Sequence, residues 1–160
     1  MLYLLDADTL ITGDRLAYPI GQFRPFWEWL IAEGAAGRIK IPREQYDEIV
    51  VGTGDLVDWL KDAATREALL LDEEADMSMV GRVILEGYGG LDETGIEAVG
   101  RDPFLVSYAL AAPGQRTVVT FEVSKPSRVG TRRKLPDVCT DLEVPCCNLY
   151  RLVRDLGFSL

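Results

Sequence analysis

The opening segment constrains the fold of this chain more than any other stretch. Residues 2–5, Leu-Tyr-Leu-Leu, form an apolar run without polar alternation, which is typical of a strand buried on both faces of a parallel sheet. The run ends on Asp6, and Asp8 follows. Because open α/β sheets bind ligands just outside the carboxyl ends of their strands, we expect at least one carboxylate at the mouth of that crevice. A simpler interpretation is that Asp6 ends the strand and Asp8 caps the next helix, and for Asp8 we favour the cap.

The rest of the chain alternates short apolar strands with helical segments. Further strands are predicted at 38–41, 117–120 and 144–147, and helices at 25–34, 43–51, 55–64, 73–87, 102–112 and 148–156. The aromatic residues of the first of these helices are expected in the core, and so is Met77. The glycine-rich, acidic segment 87–100 is predicted to be a mobile loop or an insertion. The pattern indicates one α/β domain over residues 1–160, a three-layer α/β/α fold with a mainly parallel sheet.

Composition excludes several kinds of chemistry. The chain has no histidine, which removes histidine general bases, Ser-His-Asp triads and most catalytic zinc sites. Its three cysteines make no disulfide framework and are expected to be buried small hydrophobes. The net charge of -9 argues against nucleic-acid binding by bulk attraction, although a local basic patch stays open. Without a membrane-length apolar run or a secretory signal, we expect a cytoplasmic protein with no membrane partner.

Further acidic residues stand near predicted element boundaries. Glu48 lies in the helix after the second strand, Asp102 begins a helix before Pro103, and Glu122 follows the strand 117–120. Each also has a simpler interpretation, such as a solvated helix surface for Glu48 or a helix cap for Asp102. Carboxylates crowded together would raise one another's pKa, so a cluster of them implies a hard cation such as Mg²⁺.

The segment 124–134 reverses the acidic sign of the chain. It contains five basic residues and no acidic one: Lys125, Arg128, Arg132, Arg133 and Lys134. A flexible basic loop beside a carboxylate cluster suits a phosphate backbone, and the alternative is a solvated surface loop.

Taken in order, these motifs resemble the PIN domain. The similarity rests on Leu-Leu-Asp-Ala-Asp at the start, Tyr-Asp-Glu-Ile in a helix, Arg-Asp-Pro-Phe-Leu-Val at a helix start and Val-Val-Thr-Phe-Glu after it. The Lys-Leu-Pro-Asp-Val-Cys stretch, with Tyr-Pro and Phe-Trp-Glu-Trp-Leu near the start, resembles one uncharacterised PIN-like branch. PIN domains are Mg²⁺- or Mn²⁺-dependent ribonucleases, and many are VapC-type toxins of toxin–antitoxin pairs.

The resemblance implies a role for each matching residue. Asp6, Glu48, Asp102 and Glu122 would be the catalytic acids, and three of them, Asp6, Asp102 and Glu122, would bind the metal. Thr120 matches a small hydroxyl residue before the last acid. Asp8 stands where asparagine or serine is usual, and Asp137 is an additional acid with a supporting or metal-binding role. The implied partners are an RNA substrate and a cognate antitoxin protein, and a homodimer is open.

Two other functions remain. Haloacid-dehalogenase-like phosphatases begin with an apolar strand and an Asp-x-Asp-x-Thr/Val motif, and a later strand ends in threonine or serine. Asp6 and Asp8 fit the first motif and Thr120 the later strand, whereas Leu10 occupies the place of the threonine or valine. The second alternative is an inactive PIN-like binding module. Metal-dependent cleavage of RNA separates the nuclease from both.

Overall fold

Four parallel strands form the centre of the molecule. The computed structural model describes residues 1–160. Its strands are β1 (Leu2–Leu5), β2 (Ile39–Lys40), β3 (Arg116–Val119) and β4 (Cys146–Cys147), in the spatial order β2-β1-β3-β4. β1 pairs with β3 over its full length, from Leu2 opposite Arg116 to Leu5 opposite Val119. The first strand is therefore central, as its uninterrupted apolar sequence predicts.

Ten α-helices surround the sheet. They are α1 (Ala7–Thr12), α2 (Arg24–Ala35), α3 (Arg43–Val50), α4 (Asp55–Lys61), α5 (Ala63–Leu69), α6 (Met77–Arg82), α7 (Glu93–Val99), α8 (Asp102–Leu110), α9 (Leu135–Asp141) and α10 (Leu149–Asp155). Two π-helical turns, Gly13–Ala17 and Val83–Gly87, extend α1 and α6, and a 3₁₀ turn covers Gly130–Arg132. None of these helices combines the length and the apolarity that a membrane crossing requires.

The core is divided between the two faces of the sheet. Along β1, Tyr3 and Leu5 pack into one apolar cluster and Leu4 into the other, which follows from the alternation of side chains in a strand. The first cluster joins β1 to helices α2–α5 and α10, and the second joins it to α6, α8 and α9. The predicted three-layer α/β/α fold is confirmed.

The positions of whole helices are predicted more accurately than the residues at which helices begin. α2, α3 and α10 lie where they are predicted, and Phe26 and Trp27 are buried in the core. The predicted helix over 73–87 begins only at Met77, because the Asp76 side chain accepts a hydrogen bond from the Ser78 amide and caps it there. Met77 is 63% exposed, so its predicted burial is wrong.

Three other predictions are wrong. The segment 87–100 is not a loop throughout, because the Asp92 side chain caps α7 by accepting from the Gly95 amide at 2.7 Å. Asp8 does not cap α1: it lies in the first turn of the helix, and its carboxylate accepts a hydrogen bond from the Thr12 hydroxyl at 2.9 Å. Asp102 likewise is the first residue of α8, and the cap position is Arg101.

Gly34 allows α2 to pack closely on α5. A Cβ atom at this position would lie 2.6 Å from Leu69 Cδ2 and 2.7 Å from the Ala68 carbonyl oxygen. We therefore expect Gly34→Ala to lower the free energy of unfolding by about 1–3 kcal/mol in urea titrations, despite the higher helix propensity of alanine. Gly81→Ala is the matched control: a Cβ at this exposed α6 position meets nothing within 4 Å, so the same change should be neutral or raise stability by about 0.5–1 kcal/mol. Equal effects of the two substitutions would contradict this account of the α2–α5 contact.

Candidate active site

The pairing of β1 with β3 brings Asp6 against Thr120. Both residues directly follow their strands, and the Asp6 amide continues the ladder by donating to the Val119 carbonyl at 3.0 Å. The Thr120 hydroxyl donates to Asp6 Oδ2 at 3.0 Å. Asp6 is 5% exposed, so its carboxylate is held inside the carboxyl edge of the sheet rather than in solvent.

Thr120 also connects Asp6 to Glu122. Its hydroxyl oxygen accepts a hydrogen bond from the Glu122 amide at 3.1 Å while it donates to Asp6. The Glu122 carboxylate in turn accepts from the Leu135 amide at 3.3 Å, and Lys134 Nζ lies 3.8 Å from Glu122 Oε1. The start of α9 thus holds Glu122 beside the first carboxylate.

Contacts between α3 and α8 fix the position of Asp102. The Arg101 guanidinium donates to the Glu44 carbonyl at 2.9 Å, and Gln45 Nε2 donates to the Arg101 carbonyl at 3.0 Å. Farther along α8, the Tyr108 hydroxyl donates to Glu44 Oε1 at 2.6 Å. These contacts place the first turn of α8 against the helix that carries Glu48.

The acids at this edge of the sheet influence one another. Burial is the main cause that raises the pKa of Asp6 to about 7; the charges of Glu122 and Asp8 contribute to this rise, and hydrogen bonds from the Thr120 hydroxyl and the Asp8 amide oppose it. The pKa of Asp102 rises to about 8, first because of burial and then because of the charges of Asp6, Glu122, Glu48 and Asp8.

The pKa of Glu122 is also raised, chiefly by burial, although its contacts with Leu135 and Lys134 oppose that rise.

Five acidic residues lie together at this edge of the sheet, and we call them the acidic site: Asp6, Asp8, Glu48, Asp102 and Glu122. Asp8 and Glu48 are its exposed members, whereas Asp102 and Glu122 are half-buried.

The possible metal donors here are the carboxylate oxygens of the acidic site and the neighbouring Thr120 hydroxyl. No three histidine, cysteine, aspartate or glutamate side chains are arranged as a ready-made metal centre. Mg²⁺ is commonly held by one or two carboxylates, with waters and substrate phosphate completing its shell. Buried Asp6 and half-buried Asp102, both with raised pKa values, fit such a cation, because a nearby positive charge favours their ionised form.

Asp137 belongs to a different cluster. It is 7% exposed, and its carboxylate accepts hydrogen bonds from the Ser124 hydroxyl and, at 2.7 Å, from the Lys125 amide. Its two oxygens therefore anchor the beginning of the basic loop, and it contributes to none of the pKa shifts of the acidic site.

The basic loop, residues 124–134, contains basic side chains that bind other groups of the chain and basic side chains that do not. Arg133 donates to the Gly87 carbonyl and pairs with Asp141 at 2.6 Å, and Lys134 lies beside Glu122. Arg128 and Arg132 form no ion pair within the chain, and Lys125 is bound only through its amide. The free cations of the loop are thus Lys125, Arg128 and Arg132.

Sequence reasoning missed Tyr88. This residue is 3% exposed, and the pKa of its phenol is raised by burial and then by Asp102 and Glu122, so it borders the acidic site. It lies in the glycine-rich segment after the second π-helical turn, where the sequence carries no recognisable motif.

A family model described as "Domain of unknown function (DUF4411)" matches residues 3–160. The chain belongs to the DUF4411 family. No curated protein and no solved structure gives a significant match to this DUF4411 chain. The function of the acidic site has therefore to be argued from its own chemistry.

The raised pKa values predict how stability depends on pH. An aspartate carboxyl ordinarily has a pKa of 3.8, whereas the pKa is about 7 for Asp6 and about 8 for Asp102 in the fold, so the native state binds these protons more tightly than the unfolded chain. Their contribution to stability is complete below pH 3.8 and is lost as the pH rises through 7 to 8. We expect Asp6→Asn to raise the free energy of unfolding at pH 8 by on the order of 2 kcal/mol in chelator-treated protein.

The control for this prediction is Asp58→Asn, which removes an exposed carboxylate on α4. In urea titrations across the same pH range, the free energy of unfolding of this variant should change with pH in parallel with that of the wild type. If the free energy of unfolding of Asp6→Asn also changes with pH in parallel with that of the wild type, the charge of Asp6 does not oppose folding.

Proposed function

We propose that this protein is a metal-dependent endoribonuclease of PIN-like type that hydrolyses RNA phosphodiester bonds. The observation that carries the proposal is the convergence of carboxylates from separate segments at the carboxyl edge of a parallel sheet, with Asp6 and Asp102 raised to pKa values of about 7 and about 8. In the absence of histidine, carboxylates are the groups this chain has for handling a nucleophilic water.

The residues at the acidic site have different roles in this proposal. Asp6, Asp102 and Glu122, which form no ready-made metal centre without the ion, would hold Mg²⁺ or Mn²⁺. Such an ion supplies charge stabilisation at the phosphate and an acidified water. Thr120 orients Asp6 through its hydroxyl, which is simultaneously fixed by the Glu122 amide. Glu48, exposed on α3, is suited to accept the proton of the attacking water because it can exchange that proton with solvent.

The basic loop supports a polyanionic substrate. A chain with a net charge of -9 repels RNA in general, so affinity requires a local concentration of cations near the site. Lys125, Arg128 and Arg132 supply it, because Asp137 anchors the loop beside Glu122 without neutralising these side chains. Such contacts position a phosphate backbone and carry no base specificity.

The proposal extends to a partner and a compartment. A free cytoplasmic ribonuclease endangers its own cell, so we place the protein in a toxin–antitoxin pair with a cognate inhibitor protein. A basic side chain of that inhibitor could pair with the acidic site, and the surrounding negative charge favours such a partner. We also propose that the protein acts in the cytoplasm and can form a homodimer.

Cleavage of RNA by point variants tests the catalytic assignment. With Mg²⁺ or Mn²⁺ present, we expect Asp6→Asn and Asp102→Asn each to lower the cleavage rate by on the order of 100-fold or more, because each removes a charge while preserving shape. Asp58→Asn, the exposed control on α4, should cleave at the wild-type rate. Labelled single-stranded RNA resolved on gels gives the rates, and circular dichroism verifies folding.

Three outcomes would reject the nuclease. Wild-type cleavage by Asp6→Asn would remove this residue from the mechanism. RNA binding without cleavage under any divalent metal would support the inactive binding module. Turnover of a small phosphomonoester through a phosphorylated Asp6 would support the phosphatase.

Salt dependence tests the basic loop. The double variant Arg128→Gln/Arg132→Gln should weaken RNA binding and reduce the magnitude of the slope of log K against log salt by roughly 1 to 1.5, since each single-strand phosphate contact contributes about 0.7. Lys61→Gln/Arg154→Gln removes the same charge from exposed positions outside the loop and should preserve more of the slope. Equal slopes for both double variants would show that net charge, and not the loop, governs binding.

A further inference from the structure

A cavity opens beside the acidic site, between α1 and the turn that joins α3 to α4. Its volume is about 330 Å³, at the small end of the range for ligand pockets. Glu48 of the acidic site lines this cavity, and so does Ile11, which follows Asp8 by one turn of α1. The cavity, which we call the side pocket, therefore adjoins the acidic site at its two exposed members.

The floor of the side pocket is apolar. Ile49, Leu56 and Val57 line it and belong to the core cluster that joins β1 to α3 and α4. Val51 also lines it and is 81% exposed. Apolar side chains of this kind pack against the faces of bases that have left their stack. The floor thus suits a flat ring.

Carboxylates supply most of the charge around the side pocket. Besides Glu48, Asp14 and Asp55 line it, and Arg15 is the one cation that does so. Asp14 Oδ1 accepts a hydrogen bond from the Ile20 amide at 2.9 Å, so Asp14 is partly engaged. Asp55 begins α4, is exposed, and its carboxylate forms no hydrogen bond or ion pair within the chain. This arrangement disfavours a phosphate inside the pocket and favours a neutral ring that donates hydrogen bonds.

Guanine is the RNA base whose edge matches a free carboxylate. Its ring N–H and its exocyclic amino group are neighbouring donors, and together they can bind both oxygens of one carboxylate. Adenine and cytosine present a single amino group on the same edge, and uracil presents one N–H between two carbonyls. Hydrogen bonds to an ionised acceptor are roughly twice as strong as those between neutral groups, so a carboxylate discriminates strongly for guanine.

We propose that the side pocket binds one guanine base of the RNA substrate. Asp55 accepts the two hydrogen bonds from the edge of the base, and the apolar floor covers the face of its ring. Arg15 is available to a phosphate that flanks the base. This inference rests on the proposed ribonuclease function, because the acidic site would hold the phosphate next to that guanine. Asp55 is then the residue that selects the nucleotide beside the cleaved bond.

Nucleotide binding tests the pocket without any cleavage. In NMR titrations of the folded, metal-free protein, guanosine monophosphate should shift the amide signals of Gly52, Thr53 and Asp55 and the methyl signals of Ile11. Inosine monophosphate, which lacks only the amino group, should bind about 10-fold more weakly because one hydrogen bond to a charged group is lost. Adenosine and uridine monophosphates should bind no better than the inosine compound. This comparison needs no protein variant, so it does not depend on the folding of a mutant.

A substitution at Asp55 tests the residue that reads the base. Asp55→Asn should bind the guanosine and inosine compounds equally, because the amide offers one acceptor oxygen in place of two. Asp58→Asn makes the same change on the same helix outside the pocket, and it should keep the preference of the wild type. In RNA digests, the wild type should cut beside guanosine, and Asp55→Asn should still cut but without that preference. Circular dichroism verifies that both variants fold.

Several outcomes would overturn the guanine site. It fails if the wild type binds the guanosine and inosine compounds equally, if the shifted signals lie outside the side pocket, or if the preference survives in Asp55→Asn. A response to methylguanidinium but to no nucleotide would assign the pocket to an arginine side chain of a protein partner and would also reject the proposal. Guanine binding without RNA cleavage would reject the ribonuclease alone, whereas RNA cleavage without guanine binding would reject the base pocket alone.

Discussion

The pairing of β1 with β3 is the constraint on which the site depends. β1 is central, and its apolar side chains alternate between the two core clusters, so a shift of one residue would transfer Leu4 and Leu5 to the wrong faces. The full-length register with β3 then determines that Asp6 ends opposite Thr120. Burying residues such as Leu4 and Leu5 contributes about 1.5–3 kcal/mol each, which is enough to hold an unfavourable carboxylate at the strand end.

The acidic site opposes the stability that the core provides. Asp6 and Asp102 are removed from water in the vicinity of other carboxylates, and the raised pKa values express the cost of ionising them there. Gln45 adds a smaller cost, because its buried Oε1 has no hydrogen-bond partner while its amide nitrogen holds the Arg101 carbonyl. These costs are concentrated where the end of β1 meets the start of α8. Strongly shifted pKa values of this kind are typical of sites at which a protein gives up stability for binding or chemistry.

The sequence was sufficient for the parts of the fold that local patterns determine. The apolar run of β1 and the helical patterns over 25–34 and 148–156 each carry their own signal, and these elements lie where they are predicted. The contacts that bring Asp102 to Asp6 are different, because Arg101 reaches Glu44 and Gln45 across more than fifty residues of sequence. Tyr88 was missed for the same reason: only the tertiary fold places it near Asp102 and Glu122.

Asp6 and Asp137 illustrate why sequence alone cannot separate a candidate ligand from a structural acid. Both are buried aspartates, 5% and 7% exposed. Asp137 accepts from the Ser124 hydroxyl and the Lys125 amide, so both of its oxygens are satisfied by the loop that it anchors. Asp6 Oδ2 accepts one hydroxyl donor, the Asp8 amide gives minor further support, and the charges that act on the Asp6 carboxyl are those of Glu122 and Asp8. A buried carboxylate with few donors and like-charged neighbours is the one that gains most from a cation, and that difference lies in the surroundings, not in the residue type.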